Sequence, residues 1–400
     1  MPKLPNQRAA IRQQPPVLRA PEDHRQATWL ELFFDVVFVV SMAALAHNIE
    51  EHPSLAQFGF FAMTFLALWW LWMEYSYYAD LFDTQGVLHQ VQTLAAMFGV
   101  ALMAVFIRSN DHDYSDDFAW VYVALNVNLL LMHGIAWYHI REWRRMTRVF
   151  LIAIGISTLL WIVSTQVATP LRYALMIGGV LVQMLAGPYI YLIQKDYPTQ
   201  KSHMPERFGL FVIIVVGEGV AAVINGLDYV DWTQDAILTS VLAFGIVALV
   251  WKLYFYEAHH DSMDRALRGS DHQTALSFFY GYAHYFIYGS IALLGAGLLL
   301  AIEGYDEAPQ QFIGNLIHGS LVVFLLSTTL SQWSTAASLK RQTVRARLVA
   351  AGLSAGLLTL PMANPLWLLG AQFGILFGQI FFEYYLNGFA YEPNEATQIG

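Results

Sequence analysis

The stretch Trp29-Leu30-Glu31-Leu32-Phe33-Phe34-Asp35 sets two carboxylates four residues apart, at the head of a run that stays apolar to about Ala46. In a helix that spacing puts both acids on one face. At 1.5 Å per residue, Asp35 lies about 9 Å inside such a helix. An acid at bilayer depth costs roughly 2.5–3.5 kcal/mol on insertion scales. A group kept there at that cost can bind a cation, exchange a proton or pair with a base.

Further polar groups interrupt other apolar runs. Glu218 and His284 reach deepest, roughly 16 and 14 Å along theirs. Gly217 and Gly219 flank Glu218, and missing side chains there let another helix, water or a solute approach the backbone. A buried carboxyl at Glu218 can take up and release a proton, with His284 as relay. Glu31, Glu206, Arg207, Glu74 and Lys252 can gate, bind or form ion pairs that only hold helices together. His89 and Asp83 complete the candidate ion, proton or substrate set. Asn126, Asn128 and Gln183 suit hydrogen bonding between helices.

Metal and cofactor chemistry finds little support. Glu257-x-His259-His260-Asp261 has ligand-type residues, but adjacent histidines do not share a helical face. No cysteine is present, which excludes disulfides, thiolate metal sites and a cysteine nucleophile. No phosphate loop, dinucleotide fingerprint or Gly-x-Ser-x-Gly elbow stands at a convincing place, so no cofactor is expected.

The elements that must carry these groups follow from hydropathy. Of 400 residues 56% are hydrophobic and 13% charged, with a mean hydropathy of +0.44. The apolar residues fall into about twelve blocks: 29–48, 56–79, 87–108, 117–140, 147–166, 171–194, 207–226, 233–257, 275–302, 312–333, 344–360 and 366–387. About 20 residues cross the hydrocarbon as a helix. Strand alternation is absent and the blocks lack polar faces, so an all-α polytopic membrane protein is expected. Trp29, Trp120, Trp137, Trp143, Tyr191, Trp232 and Trp367 at block ends read as interfacial belts.

Residues 1–28 carry five basic side chains and Pro15-Pro16, with no short apolar core and cleavage site, so they read as a flexible basic arm. Basic residues recur after blocks four, six, eight and ten: Arg141 to Arg148, then Lys195, Lys201 and Arg207, then Arg265 and Arg268, then Lys340 to Arg347. The opposite loops are acidic. The positive-inside rule then puts both termini in the cytoplasm and the chain in a bacterial cytoplasmic membrane. The net charge of −9 resides in outward acidic loops and does not suggest nucleic acid as a partner. In this orientation Glu31, Asp35, Glu74, Asp80 and Asp83 lie toward the cytoplasm, and the outer half has little except His47. A wet cavity open to the cytoplasm is expected.

The two halves look alike. Trp72-x-x-Tyr75-x-Tyr77-x-Ala79 matches Trp251-x-x-Tyr254-x-Tyr256-x-Ala258, and Arg148-x-x-Leu151-x-Ala153-x-Gly155-x-Ser157 matches Arg345-x-x-Leu348-x-Ala350-x-Gly352-x-Ser354. Glu31 and Glu206 open blocks one and seven, and His89 and His284 fall early in blocks three and nine. Two six-helix repeats of one orientation are expected, at 29–200 and 201–390, with a tail at 391–400 and a site possible at their interface.

At these residues the chain resembles the bacterial low-temperature-requirement A (LtrA) family, from about residue 25 to 390. The anchors are Trp29 to Asp35, Phe82-Asp83-Thr84, His203-x-x-Glu206-Arg207-Phe208-Gly209-Leu210 running to Gly217-Glu218, and Tyr282-Ala283-His284. The family reads Asn-Arg-Phe-Asp-Thr-Asp-Asp after block two, whereas Asp80-Leu81-Phe82-Asp83-Thr84-Gln85-Gly86 stands here, so a role for that loop does not carry over. The resemblance implies a polytopic membrane protein without implying an activity. The leading expectation is an ion- or proton-coupled transporter or channel for a small solute. Asp35 and Glu218 would bind proton or cation. The alternatives are an intramembrane enzyme acting on a lipid, and a non-catalytic scaffold or sensor. The partners expected are the bilayer and an ion or small solute, and homo-oligomerisation is open.

Overall fold

A computed structural model of the chain describes residues 16–18, 27–83, 86–108, 116–193, 204–228, 230–255, 271–304, 310–335, 341–360 and 364–387. Among these residues run twelve α-helices: α1 (Trp29–Glu51), α2 (Leu55–Leu81), α3 (Val87–Arg108), α4 (Asp116–His139), α5 (Arg144–Ser164), α6 (Leu171–Ile193), α7 (Met204–Asp228), α8 (Gln234–Phe255), α9 (Asp271–Glu303), α10 (Gln310–Thr335), α11 (Arg341–Leu357) and α12 (Pro365–Asn387). Eleven are long and apolar enough to cross a membrane, and the protein is an all-α polytopic membrane protein. Block eleven is the exception. Its helix has only 17 residues and opens Arg341-Gln-Thr-Val-Arg-Ala-Arg, which leaves it short of a full apolar span.

Local chemistry fixes where helices begin. Thr28 caps α1 in a capping box: the Glu31 N–H donates to Thr28 Oγ1 at 3.3 Å and the Thr28 N–H donates to Glu31 Oε2 at 2.8 Å. Ser54 caps α2 through the Gln57 N–H at 3.2 Å. Part of the amino-terminal arm is engaged with the body. Strand β1 (Val17–Leu18) pairs antiparallel with β2 (Phe82–Asp83), Val17 opposite Asp83 and Leu18 opposite Phe82. The rest of 1–26 and the tail after 387 lie outside the described residues.

The centre is built from α1, α2, α7 and α9. In α9, 89% of the most apolar stretch is buried, so protein rather than lipid surrounds it. It packs against α7, α10, α1 and α8. Glycines set its distance from α7: a Cβ on Gly295 would stand 3.5 Å from the Gly219 Cα. Neighbours recur between the halves. The pairs α1–α2, α1–α3, α3–α4, α4–α5, α5–α6 and α2–α6 have counterparts in α7–α8, α7–α9, α9–α10, α10–α11, α11–α12 and α8–α12.

Exposed Leu159, Leu185 and Phe98 lie on outward helix faces. Trp29, Trp232 and Trp367 are exposed near helix ends, as a belt requires. Trp143 departs from that expectation and is buried against Met146 and Ile190.

Candidate functional site

Asp35 is fully buried on the inner face of α1. Its Oδ1 accepts from Arg207 Nη2 at 2.5 Å and from the Trp72 indole N–H at 2.7 Å. The guanidinium also lies over the Trp72 ring, 5.6 Å from its centroid, a cation–π contact. Three helices, α1, α2 and α7, thus meet at one carboxylate. Phe208, Phe211 and Tyr288 pack around Trp72 with ring centroids at 5.5, 4.7 and 6.0 Å. The Tyr288 hydroxyl donates to the Phe208 carbonyl at 3.1 Å, which brings in α9. Asp35 Oδ2 and Arg207 Nε are buried without a hydrogen-bond partner.

Of the two acids on this face of α1, Asp35 and not Glu31 meets Arg207. Both acids share a face of α1, but Glu31 lies in the first turn and turns back to cap it. The deeper Asp35 meets the arginine. Its charge is therefore matched, and it offers no free carboxylate to a solute in this conformation.

His284 is saturated as well. Its Nδ1 donates to the Tyr280 carbonyl at 2.8 Å, since a carbonyl can only accept, which leaves Nε2 to accept from the Tyr254 hydroxyl at 2.9 Å. Its ring stacks on Phe208 at 4.3 Å. Asn126 takes a bond from Gln183 Nε2 at 3.1 Å and donates to Ser157 Oγ at 3.4 Å. Asn128 donates to the Tyr75 hydroxyl and the Gln92 carbonyl, each at 3.0 Å. These amides join helices.

Glu74 is buried with Oε1 lacking a hydrogen-bond partner, and Trp69 and Trp70 nearby on α2 pack against Tyr282 of α9. Lys252 instead lies over the Tyr384 ring at 5.5 Å. His89 stacks with Tyr78 at 6.0 Å. Glu206 is half-buried in the first turn of α7, where the helix dipole favours an acid. Asp83 contributes its backbone to β2, and its side chain lies outside the described residues, as do His203 and the Glu257 to Asp261 loop.

Glu218 stands apart from all of these. It is half-buried near the middle of α7, and it lines a groove of about 700 Å³ between α3 and α7, floored by α1 and α9. The groove follows α1 from Phe33 to Glu50. Its polar lining, Glu218, Asn225, His47, Glu50 and Arg108, runs from mid-helix toward the ends of α1, α3 and α7 remote from Asp35. His47 bridges Glu50 at 3.2 Å and Glu51 at 3.0 Å. Phe33, Val36 and Val40 are exposed along its side, so the groove opens laterally. The charges of this groove gather at the end remote from Asp35.

Two buried clusters escaped the sequence reading. Arg347 counted there as a loop cation, yet it is buried in α11, donates from Nε to Glu383 Oε1 at 3.0 Å and also contacts Gln332. Gln379 donates to the same Glu383 oxygen at 3.2 Å. A lone acid in the apolar block 366–387 was the signal for it. In the second cluster Gln372 accepts from His318 Nδ1 at 3.1 Å and donates to Ser354 Oγ at 2.9 Å. Among the described residues no three His, Asp or Glu side chains converge as metal ligands.

The sequence model of the family described as "Bacterial low temperature requirement A protein (LtrA)" matches residues 26–377. A protein of Rhizobium meliloti (strain 1021), named only as uncharacterized, is 26% identical over 294 residues, 69% of each chain. No solved structure matches.

Proposed function

The chain belongs to the bacterial low temperature requirement A family, and from that membership and the geometry of its centre we propose that it is a membrane transporter using Glu218 as its charged binding group. The carrying observation is the groove itself. It follows α1 for most of its length, and the carboxylate at its middle has neither an ion pair nor a hydrogen bond with the described residues. An intramembrane acid facing a cavity, with no base against it, is the ordinary signature of an ion, proton or substrate path.

The buried Asp35–Arg207–Trp72 knot supports this reading as a fixed point between the halves. It ties α1 to α7 at the level of the groove's Phe33 end, and helices pinned at one end can still separate at the other. We read the recurring helix neighbours as an internal duplication, with α1 and α7 as counterparts. The clusters Asn126–Ser157–Gln183 and His318–Ser354–Gln372 occupy corresponding helices. Loop charges then direct the Asp35 end to the cytoplasm and the His47 end outward.

Reconstituted protein with a pH-sensitive dye inside the vesicles tests the proposal. Wild-type protein carries flux, and Glu218→Gln, which keeps size and removes charge, loses it while remaining monodisperse. Undiminished flux in Glu218→Gln overturns the assignment. A second reading draws on the lateral opening and on His47, whose two ring nitrogens stand against Glu50 and Glu51: an enzyme in which that histidine is the general acid toward a lipid. Conversion of bilayer lipids by the wild type, lost in His47→Gln, would favour it.

A further inference from the structure

We propose that the groove binds a lipophilic organic cation, a molecule with a charged nitrogen or phosphorus centre on an apolar body, which enters from the bilayer and sets its charge on Glu218. The inference deepens the transporter reading. It rests on that reading for movement of the cation but not for its binding.

Size comes first. Small-molecule sites run about 300–1,000 Å³, and a groove of about 700 Å³ falls inside that range. It is far too large for a bare ion, which needs several oxygens converging at bonding distance. No three acidic or histidine side chains converge among the described residues. The lining supplies the second argument. Val36, Val40, Ala101, Val105, Ala222 and Leu299 present apolar walls. Small side chains leave room between those walls, Ala43 among them.

Charge supplies the third. Glu50 is bridged by His47 at 3.2 Å, so the rim partly satisfies itself. Arg108 lies at the last turn of α3 and is exposed, where a long cationic side chain reaches headgroup phosphates. The charge left facing the middle of the groove is the Glu218 carboxylate. A negative group in an apolar trough matches a cation that already prefers the membrane. A hydrated inorganic ion would have to leave its water for one carboxylate and alkyl walls. The exposed flank at Phe33, Val36 and Val40 gives such a molecule a way in from the side.

The test is equilibrium binding of radiolabelled tetraphenylphosphonium to the purified full-length protein in detergent. The wild type shows saturable binding that potassium does not displace, and tetraphenylborate, the anion of the same shape, does not compete. Glu218→Gln weakens binding by at least about tenfold, the scale of one charge contact out of water. Glu218→Asp recovers part of it, and Ala43→Phe, which fills the trough, abolishes it. Absence of saturable binding by folded wild type overturns the inference, as does unchanged affinity in Glu218→Gln or equal competition by the anion. The two readings fail separately. Proton flux lost in Glu218→Gln without phosphonium binding keeps the transporter and removes the organic cation. Binding lost in Glu218→Gln in a protein that carries no flux does the reverse.

Discussion

Replacing Arg207 with methionine keeps an apolar stem and removes the cation, which leaves the Asp35 carboxylate with the Trp72 indole as its remaining donor at 2.7 Å. Both partners of the pair are almost wholly buried, with side-chain exposures of 5% and 0%, so little water reaches either charge. Breaking a buried pair from one side costs about 3–5 kcal/mol, because the other charge stays buried and unmatched. Asp35→Asn strands the guanidinium in the same way and carries a cost of the same size. Trp72→Phe removes one hydrogen bond to a charged group, about 1.5–3 kcal/mol, and leaves the ion pair. The double replacement Asp35→Asn with Arg207→Met contains no charge at all. It should lose less than the sum of its singles by about 2–3 kcal/mol, the upper range for contacting residues. Equilibrium unfolding of the four proteins in mixed detergent micelles, followed by circular dichroism, measures the cycle. Additivity within about 0.5 kcal/mol would mean that the two side chains do not meet in the folded protein, and the pinning of α1 to α7 would fall with it.

Glu383→Gln should destabilise by about 3–5 kcal/mol, because it leaves Arg347 buried without its counter-charge; a shift in the same unfolding assay reads it. Gln183→Leu and Gln372→Leu each remove a cluster of interhelical bonds. Such bonds average about 0.6 kcal/mol each in membrane helices, so each variant should lose about 1 kcal/mol, and a large loss in one half alone would count against their equivalence. Gly295→Ala places a Cβ at ordinary contact distance from Gly219 and should be tolerated. Gly295→Leu should push α9 from α7 and lower both stability and groove binding, which melting and tetraphenylphosphonium titration would report.

The sequence was informative wherever a property depends on neighbours along the chain. Apolar length predicts the crossing helices because hydrocarbon thickness sets one number of residues for all of them, and α11 departs from it through its own short, cationic opening. Thr28-x-x-Glu31 has the spacing of a capping box, yet Glu31 was read from the sequence as a gate or ion-pair partner, and only the structure shows it capping α1. The helix-joining role of Asn126 and Gln183 followed from amides in apolar runs. The choice of partner among buried charges was not legible. Asp35 and Arg207 stand 172 residues apart, and Glu31 offered the same helical face.

From its residue order alone, this protein is fixed as an all-helical membrane chain of the family it resembles, with acids held at costly depths. The tertiary structure alone decided what those acids face. Rotation of α1 and α7 about their own axes turns Asp35 onto a guanidinium and an indole, and turns Glu218 onto an open trough. Insertion cost depends on how deep a carboxylate lies, which a linear pattern reveals. Its freedom to act depends on the neighbour set against it, and only helix packing chooses that neighbour.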